Sequence, residues 1–202
     1  NNSALTTLAG VNLSNNATNR TLTLAGTGSV DVTGVVANGG GSAAMAEALV
    51  SSFFKQKTVI GRAATRTGQP VTVAFGAIKL ITLERDVPGR ADAYAGKVAV
   101  LMDSDSASAS EATAGALQST GRAIVAGETS CGCLLAYLGY AGLPGGGELA
   151  YSEIGFTTIK GERIEGKGVV PDIAVERTLA DLRTQRDRTL EAAQTALLAT
   201  AK

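Results

Sequence analysis

Residues 103–133 have the sequence DSDSASASEATAGALQSTGRAIVAGETSCGC and follow an apolar run at 98–102. That run is short, uncharged and rich in β-prone residues, which predicts a buried strand. The Ala-rich segment at 109–118 contains no proline and predicts a helix, with Gly121 as the residue that ends it. A second apolar strand is predicted at 123–126. This order of strand, Ser-rich turn, helix and strand indicates an α/β fold, in which reactive groups lie at the carboxyl ends of strands.

Ser108 stands at the start of this helix, and its sequence context has two interpretations. Ser108 and Glu111 fit the S-x-x-E capping box, in which each side chain accepts a hydrogen bond from the other residue's backbone amide. The alternative is nucleophilic catalysis, because a hydroxyl at a helix start lies at the positive end of the helix dipole. The amide of Ala109 could then face a developing oxyanion. Capping boxes are common, so local sequence alone favours the cap.

The length and composition of the chain allow one globular domain of ordinary size, or a compact domain with an appended segment. It has 202 residues, 45% of them hydrophobic, and a formal net charge of zero. A neutral chain gives no reason to expect nucleic acid or an anionic membrane as a partner. No apolar stretch reaches the roughly 18–20 residues that a membrane span needs. We expect a single core domain over 1–202, with a polar N-terminal segment at 1–29 and a C-terminal helix at 178–200.

The sequence contains no histidine, and its only cysteines are Cys131 and Cys133. The lack of histidine excludes an in-chain Ser-His-Asp or Cys-His mechanism. Two cysteines are too few for a closed structural zinc site, which needs four ligands, so we expect neither a metal nor another cofactor. We also expect no disulfide between them, because a bridge across one residue would bring the Cα atoms into strained geometry.

Three segments together resemble the carboxyl-terminal processing, or tail-specific, serine peptidases. They are NGGGS at 38–42, SASASE at 106–111 with the helix that follows, and GKGVVPD at 166–172. They occur in that family's order and span about residues 30–176. The resemblance implies a Clp protease/crotonase-like α/β fold and hydrolysis of peptide bonds in a peptide or protein substrate. It also implies an extracytoplasmic setting, periplasmic or secreted in a bacterium, although we see no PDZ-like module in this sequence.

The resemblance also assigns roles to single residues. By position, the family's nucleophile falls on Ser108. The glycine loop implies that the amide of Gly39 or Gly40 completes an oxyanion hole with the amide of Ala109. Glycine suits this role because its backbone can approach a substrate closely without a Cβ. The alternative for this loop is a plain turn between a strand and the helix that Ser42 would cap.

The sequence departs from the family at the residue that activates the serine. The family has a lysine 25 residues downstream of its nucleophile, and the corresponding residue here is Cys133. Ser108 could lose its proton to a Cys133 thiolate, to Glu128, or to a lysine such as Lys79 or Lys160, and apart from the family's spacing nothing in the sequence separates these. A free thiol has a pKa near 8.5, so only a few per cent is ionised at neutral pH. Cys133 could equally be a small buried apolar residue.

The departure leaves three functions to compare. The first is a serine peptidase with Ser108 as nucleophile. The second is an inactive pseudopeptidase with the same fold, which binds peptide or scaffolds a partner. The third is a different acyl transfer with Cys133 as nucleophile. The oligomeric state is not predicted by any of these patterns.

The remaining elements are predicted from local patterns. We expect strands at 30–37, 58–66 and 71–83, and helices at 42–54 and at 178–199, the last starting at Thr178 with Asp181. We expect a surface loop at 84–96, a glycine-rich loop at 137–147, and a hairpin at 148–164 that turns near 160–161.

Overall fold

The computed structural model describes residues 6–9, 30–33, 41–75 and 79–199. Its helices are α1 Ala43–Ser51, α2 Ala109–Ser119, α3 Leu179–Arg183 and α4 Arg188–Ala199. Its strands are β1 Thr6–Ala9, β2 Val30–Thr33, β3 Thr58–Thr65, β4 Thr72–Phe75, β5 Lys79–Thr82, β6 Glu84–Val87, β7 Ala99–Met102, β8 Ile124–Gly127, β9 Ala136–Gly142, β10 Glu148–Thr158 and β11 Ile173–Ala174.

The strands form two larger sheets and two pairs. One sheet is antiparallel, in the order β6-β3-β10-β9, and the other is parallel, in the order β11-β8-β7. β1 pairs with β2 in parallel, and β4 pairs with β5 as an antiparallel hairpin. In the parallel sheet Met102 is the register partner of Gly127, so β7 and β8 end at the same edge. Ser108 follows β7 at this edge.

Helix α2 joins β7 to β8 and packs between two groups of buried apolar side chains. Leu117 belongs to the first group, with Val50 and Val87, and Ala114 belongs to the second, with Val125. Small residues let α2 approach its neighbours closely: a Cβ added at Gly115 would lie 2.7 Å from the Ile164 Cδ1 atom. The helix that follows Ser108 is therefore held on two sides by the core.

The central strand-turn-helix-strand prediction is confirmed. β7, α2 and β8 lie where the sequence pattern placed them, and α2 begins at Ala109. Thr120 is the C-cap, and Gly121 follows it with a φ of 70°, as expected for the residue that ends a helix. α1 begins after Ser42 as predicted, but the Ser42 side chain makes no capping hydrogen bond, and the helix ends at Ser51, before the expected boundary at 54.

The predicted surface loop at 84–96 is partly wrong, because its first four residues form β6. Glu84, Arg85 and Asp86 are exposed, whereas Val87 is fully buried. β6 is the outer strand of the antiparallel sheet, and charged side chains are common on such strands because they discourage pairing with other chains. The charged residues of β6 therefore made this strand resemble a surface loop in the sequence.

The predicted glycine-rich loop at 137–147 is also wrong in large part. β9 occupies most of it and pairs with β10, and only the segment at 143–147 forms a turn. Pairing with β10 supplies the backbone hydrogen bonds of β9 and outweighs the low strand propensity of its glycines. The predicted hairpin at 148–164 turns at 159–160, but its second arm is only a single bridge between Thr157 and Arg163.

The single C-terminal helix predicted for 178–199 is two helices. α3 starts after Thr178, whose hydroxyl accepts a hydrogen bond from the Asp181 amide as the sequence predicted. The chain then turns at Gln185, which has a φ of 53° that no helix allows, and α4 follows. No helix in the described part of the chain is long and apolar enough to span a membrane. Of the strand predicted at 30–37, β2 covers the first four residues and the rest lie outside the described ranges.

Candidate active site

Ser108 has the backbone conformation of a strained turn. It lies at the N-cap of α2 with a φ of 54° and a ψ of −117°. A helix N-cap normally has extended backbone, as Ser42 and Thr178 do here. Such a conformation costs a non-glycine residue about 1–3 kcal/mol and persists only where the surrounding structure enforces it. Capping alone does not account for it, whereas a sharp strand-to-helix turn is how several hydrolases expose a nucleophilic serine.

The loop at 130–133 holds this turn in place. The Ser108 amide donates to the Cys133 carbonyl, with 3.0 Å between nitrogen and oxygen. The Cys131 amide donates to the Ser106 carbonyl at 2.9 Å. Two backbone hydrogen bonds thus join the loop to the residues around the serine, and they explain why a positive φ is maintained at Ser108.

The Glu111 side chain also joins the serine turn to the loop at 130–133. It is fully buried and accepts a hydrogen bond from the Ser108 amide at 3.0 Å, the Glu111 half of the predicted capping box. It also accepts from the Ser130 hydroxyl at 2.5 Å and from the amides of Gly132 and Cys133 at 2.6 and 2.9 Å. Four donors satisfy a buried carboxylate without a cation. The sequence indicated only the cap, because three of these donors lie in a loop about 20 residues downstream.

The GKGVVPD segment at 166–172 supports the loop from its other side. The Val169 amide donates to the Ser130 hydroxyl oxygen at 2.7 Å, and the Gly166 amide donates to the Gly132 carbonyl at 2.8 Å. A Cβ added at Gly168 would lie 2.3 Å from the Ser130 carbonyl oxygen, so this position requires glycine. The motif that suggested the family therefore has a structural task here, which is to hold the loop at 130–133 against α2.

The sequence patterns did not predict two further carboxylates, those of Glu165 and Asp172, as part of the site. Glu165 accepts hydrogen bonds from the amides of Leu134 and Leu135, at 2.7 and 3.0 Å. Asp172 accepts from the Val125 amide in β8 at 2.7 Å. Asp172 belongs to the GKGVVPD motif, which was the available signal for it, whereas nothing in the local sequence marks Glu165.

Cys131 and Cys133 form a disulfide, so the prediction that they would not pair is wrong. Their Cα atoms are 5.3 Å apart, within the usual range for a disulfide, because the chain turns at Gly132 between them. Both residues are exposed, which also contradicts the alternative of a buried apolar Cys133. A disulfide sulfur does not titrate, so in this oxidised form Cys133 supplies neither a thiolate base nor a thiolate nucleophile.

The other proposed bases are placed differently. Glu128 follows β8 at the sheet edge, where it accepts from the Ser104 amide at 3.3 Å and lies 3.8 Å from the Arg177 guanidinium. Lys160 is exposed in the turn after β10. The Lys79 side chain lies outside what the structure describes. Among these candidates, Cys133 is the one whose backbone touches Ser108.

Only part of the predicted oxyanion hole lies within the described residues. Gly39 and Gly40 lie outside the described residues. Gly41, the last glycine of the loop, is beside the start of α2, and a Cβ built on it would lie 3.7 Å from the Ala109 Cβ. The structure therefore brings together Ser108, Ala109, Cys133 and the end of the glycine loop. Within the described ranges no group of three or more acidic or cysteine side chains is arranged to hold a metal ion.

Solved structures share this fold. A candidate peptidase from Parabacteroides merdae matches with a TM-score of 0.65 and 22% identity, over 80% of this chain and 49% of its own length. The photosystem II D1 C-terminal processing protease matches with a TM-score of 0.54 and 24% identity, over 69% of this chain and 32% of its own. Mature CPAF complexed with lactacystin matches with a TM-score of 0.59 and 15% identity, over 79% and 41%. The present chain thus spans half or less of the length of these proteins.

Sequence comparison gives the family. No curated protein sequence matches the chain significantly. The profile of peptidase family S41, however, matches residues 30–175, which is well over half of the chain and contains the Ser108 turn, the cysteine loop and the GKGVVPD segment. The resemblance suggested by those motifs is confirmed, and so is the Clp/crotonase-like α/β fold. The chain belongs to peptidase family S41 and contains the serine peptidase core of that family.

Proposed function

We propose that this chain hydrolyses peptide bonds as a serine-type endopeptidase, with Ser108 as its nucleophile. The main support for this proposal is the strained backbone of Ser108, which lies on a strand-to-helix turn in a chain that belongs to family S41. Strain of this kind is maintained at a cost in stability, and a merely capping serine would gain nothing from it. The fixed loops around the turn keep the nucleophile in one position, as catalysis requires.

The proposed chemistry follows the order of acyl transfer. The Ser108 Oγ atom attacks the scissile carbonyl carbon while its proton passes to a base, and the carbonyl oxygen becomes an oxyanion. The Ala109 amide, at the amino end of α2, and the amide of Gly39 or Gly40 would stabilise that negative charge. The amine leaves with a proton, and water then releases the second product from the acyl-enzyme.

The substrate that we propose is an unstructured polypeptide segment, because a peptide bond must reach the turn in an extended form. We also propose an extracytoplasmic location. This part of the proposal follows from the resemblance to the tail-specific peptidases.

The test compares Ser108→Ala with the neighbouring variant Ser110→Ala, using a fluorescently labelled unstructured casein as substrate. Ser108→Ala should abolish cleavage, because the nucleophile is removed, whereas Ser110→Ala should retain it. Thermal unfolding of both variants must be measured in parallel, because loss of a serine at an N-cap can cost about 0.5–2 kcal/mol.

A folded protein that binds the casein but never cleaves it, at any pH tested and in both oxidised and reduced form, would show a pseudopeptidase. In that case Ser108→Ala would bind the casein as well as the unchanged protein does.

A further inference from the structure

The Cys131–Cys133 disulfide lies in the loop whose backbone is hydrogen-bonded to the Ser108 amide. Both cysteines are exposed, so a reducing agent in solvent can reach them. The carbonyl of Cys133 accepts the hydrogen bond of the Ser108 amide at 3.0 Å. Within the described residues, the Ser108 amide donates to two groups, the Cys133 carbonyl and the buried Glu111 carboxylate.

The loop that carries the cysteines is held by contacts that do not involve sulfur. The amides of Gly132 and Cys133 donate to Glu111, and the Gly132 carbonyl accepts from the Gly166 amide. The disulfide closes a ring around a single residue, and such a small ring removes little chain entropy from the unfolded state. Reduction should therefore leave the loop in place and change mainly the chemistry at its surface.

Glu111 is poorly suited to be the base that activates Ser108. Its two carboxylate oxygens already accept four hydrogen bonds from the loop and the turn, and it is fully buried. Proton acceptance there would break contacts that hold the site together. A released thiolate at Cys133 has no such structural duty.

We propose that the Cys131–Cys133 disulfide is a reversible redox site that switches the peptidase on when a dithiol reduces it, because reduction releases Cys133 as the base for Ser108. This inference rests on the proposed peptidase function. It makes the oxidised protein the inactive form and the reduced protein the active one.

Reduction of the pair proceeds by two successive thiol–disulfide exchanges. A thiolate of the dithiol attacks one sulfur of the pair, and the other cysteine leaves as a thiolate. The second thiol of the reductant then breaks the mixed disulfide, so that the reductant leaves as a disulfide and the protein gains two electrons and two protons. In catalysis the Ser108 proton moves to the Cys133 thiolate as the bond between Oγ and the carbonyl carbon forms. The Cys133 thiol returns that proton to the leaving amine as the carbon–nitrogen bond breaks.

The experiment uses the full chain in buffers of defined ratio of reduced to oxidised dithiothreitol. Maleimide labelling followed by mass measurement should count no free thiol in the oxidised protein and two in the reduced protein, with circular dichroism unchanged. Casein cleavage should rise about 100-fold on reduction, the order expected for gain of a general base, and should fall again on reoxidation. Thiols that are released only when the protein unfolds would overturn the proposal.

Two single variants distinguish the effect of a free thiol at position 133 from the effect of opening the disulfide ring. Cys131→Ser and Cys133→Ser both remove the disulfide, but only Cys131→Ser keeps the thiol at position 133. Cys131→Ser should cleave casein without reductant and ignore the redox buffer, whereas Cys133→Ser should stay at the low oxidised rate in every buffer. Equal rates in the two variants would show that loop opening, and not the thiol, is responsible, and would overturn the proposal.

Other results distinguish this inference from the proposed function. If oxidised and reduced protein cleave equally and Ser108→Ala is inactive, the peptidase function stands and the switch is wrong. If reduced Ser108→Ala still cleaves, Cys133 is itself the nucleophile, and the role of base is wrong. Absence of cleavage in oxidised, reduced and Cys131→Ser protein alike would overturn the peptidase function and the switch with it.

Discussion

At the scale of single residues, Glu111 decides whether the serine turn and the cysteine loop stay together. Its buried carboxylate accepts from the Ser130 hydroxyl and from the amides of Ser108, Gly132 and Cys133. A carboxamide has one acceptor oxygen, and its NH₂ group would face donors. Glu111→Gln should therefore lower the free energy of unfolding by about 3 kcal/mol, measured by urea unfolding, because buried donors lose their acceptor.

Glu128→Gln is the matched control for this change. Glu128 is half-buried at the sheet edge, and its ion pair with Arg177 is long, at 3.8 Å, and open to solvent. Such pairs contribute at most about 1 kcal/mol, so this variant should unfold close to the unchanged protein. If the two variants were equally stable, the network around Glu111 would not support the loop as we describe.

Some features of single residues could be predicted from the sequence, and others could not. Ser108 was predictable as the N-cap of a helix, because the apolar strand before it and Glu111 after it are local signals. Its positive φ was not predictable, because the loop at 130–133 enforces it from a distance. The prediction of no disulfide is wrong because it did not allow for the turn at Gly132 between the two cysteines.

At the scale of secondary structure, the amino end of α3 should respond to acid. The Thr178 hydroxyl and amide donate to the Asp181 carboxylate at 2.6 and 2.9 Å and hold the pKa of Asp181 below its ordinary value, with a smaller contribution from Arg188 at 3.7 Å. A lowered pKa stabilises the folded state above the ordinary Asp pKa, near 4, and this contribution is lost as the pH falls through the lower pKa of the folded protein. Hydrogen exchange at 178–186, referred to the intrinsic exchange rate at each pH, should therefore show falling protection below about pH 4.

Asp181→Asn tests whether this carboxylate is the cause. An asparagine can still accept the hydrogen bond from the Thr178 amide but carries no charge, so protection at 178–186 should be weaker at neutral pH and should no longer depend on acid in this range. Persistence of the same acid dependence in the variant would assign it to another group.

The elements that sequence patterns failed to identify have a common cause. β6 and β9 are strands because β3 and β10 lie beside them, and such pairing between distant segments is not encoded in local propensity. The C-terminal helix breaks at Gln185, which is neither glycine nor proline. α2 and its flanking strands were predicted because each carries its own periodicity and end signals.

At the scale of the whole molecule, the two apolar groups of the core are joined. The first lies around Leu117 and the second around Met102 and Val125, and Val100 and Phe156 pack against both. The parallel sheet carries the edge where Ser108 lies, and the antiparallel sheet covers the other side of α2. A continuous core means that a change in one group should destabilise the site as well as its own neighbourhood.

Leu117→Ala and Leu149→Ala test that continuity with the same substitution in two environments. Leu117 is 1% exposed in the first core group, whereas Leu149 is 54% exposed on β10. Leu117→Ala should cost about 2–5 kcal/mol through the cavity it leaves. Leu149→Ala should stay within about 0.5 kcal/mol, as surface changes usually do. In urea, circular dichroism and tyrosine fluorescence should report one shared transition for both variants. Two separate transitions in Leu117→Ala would show that the core groups unfold independently and that the site rests on only one of them.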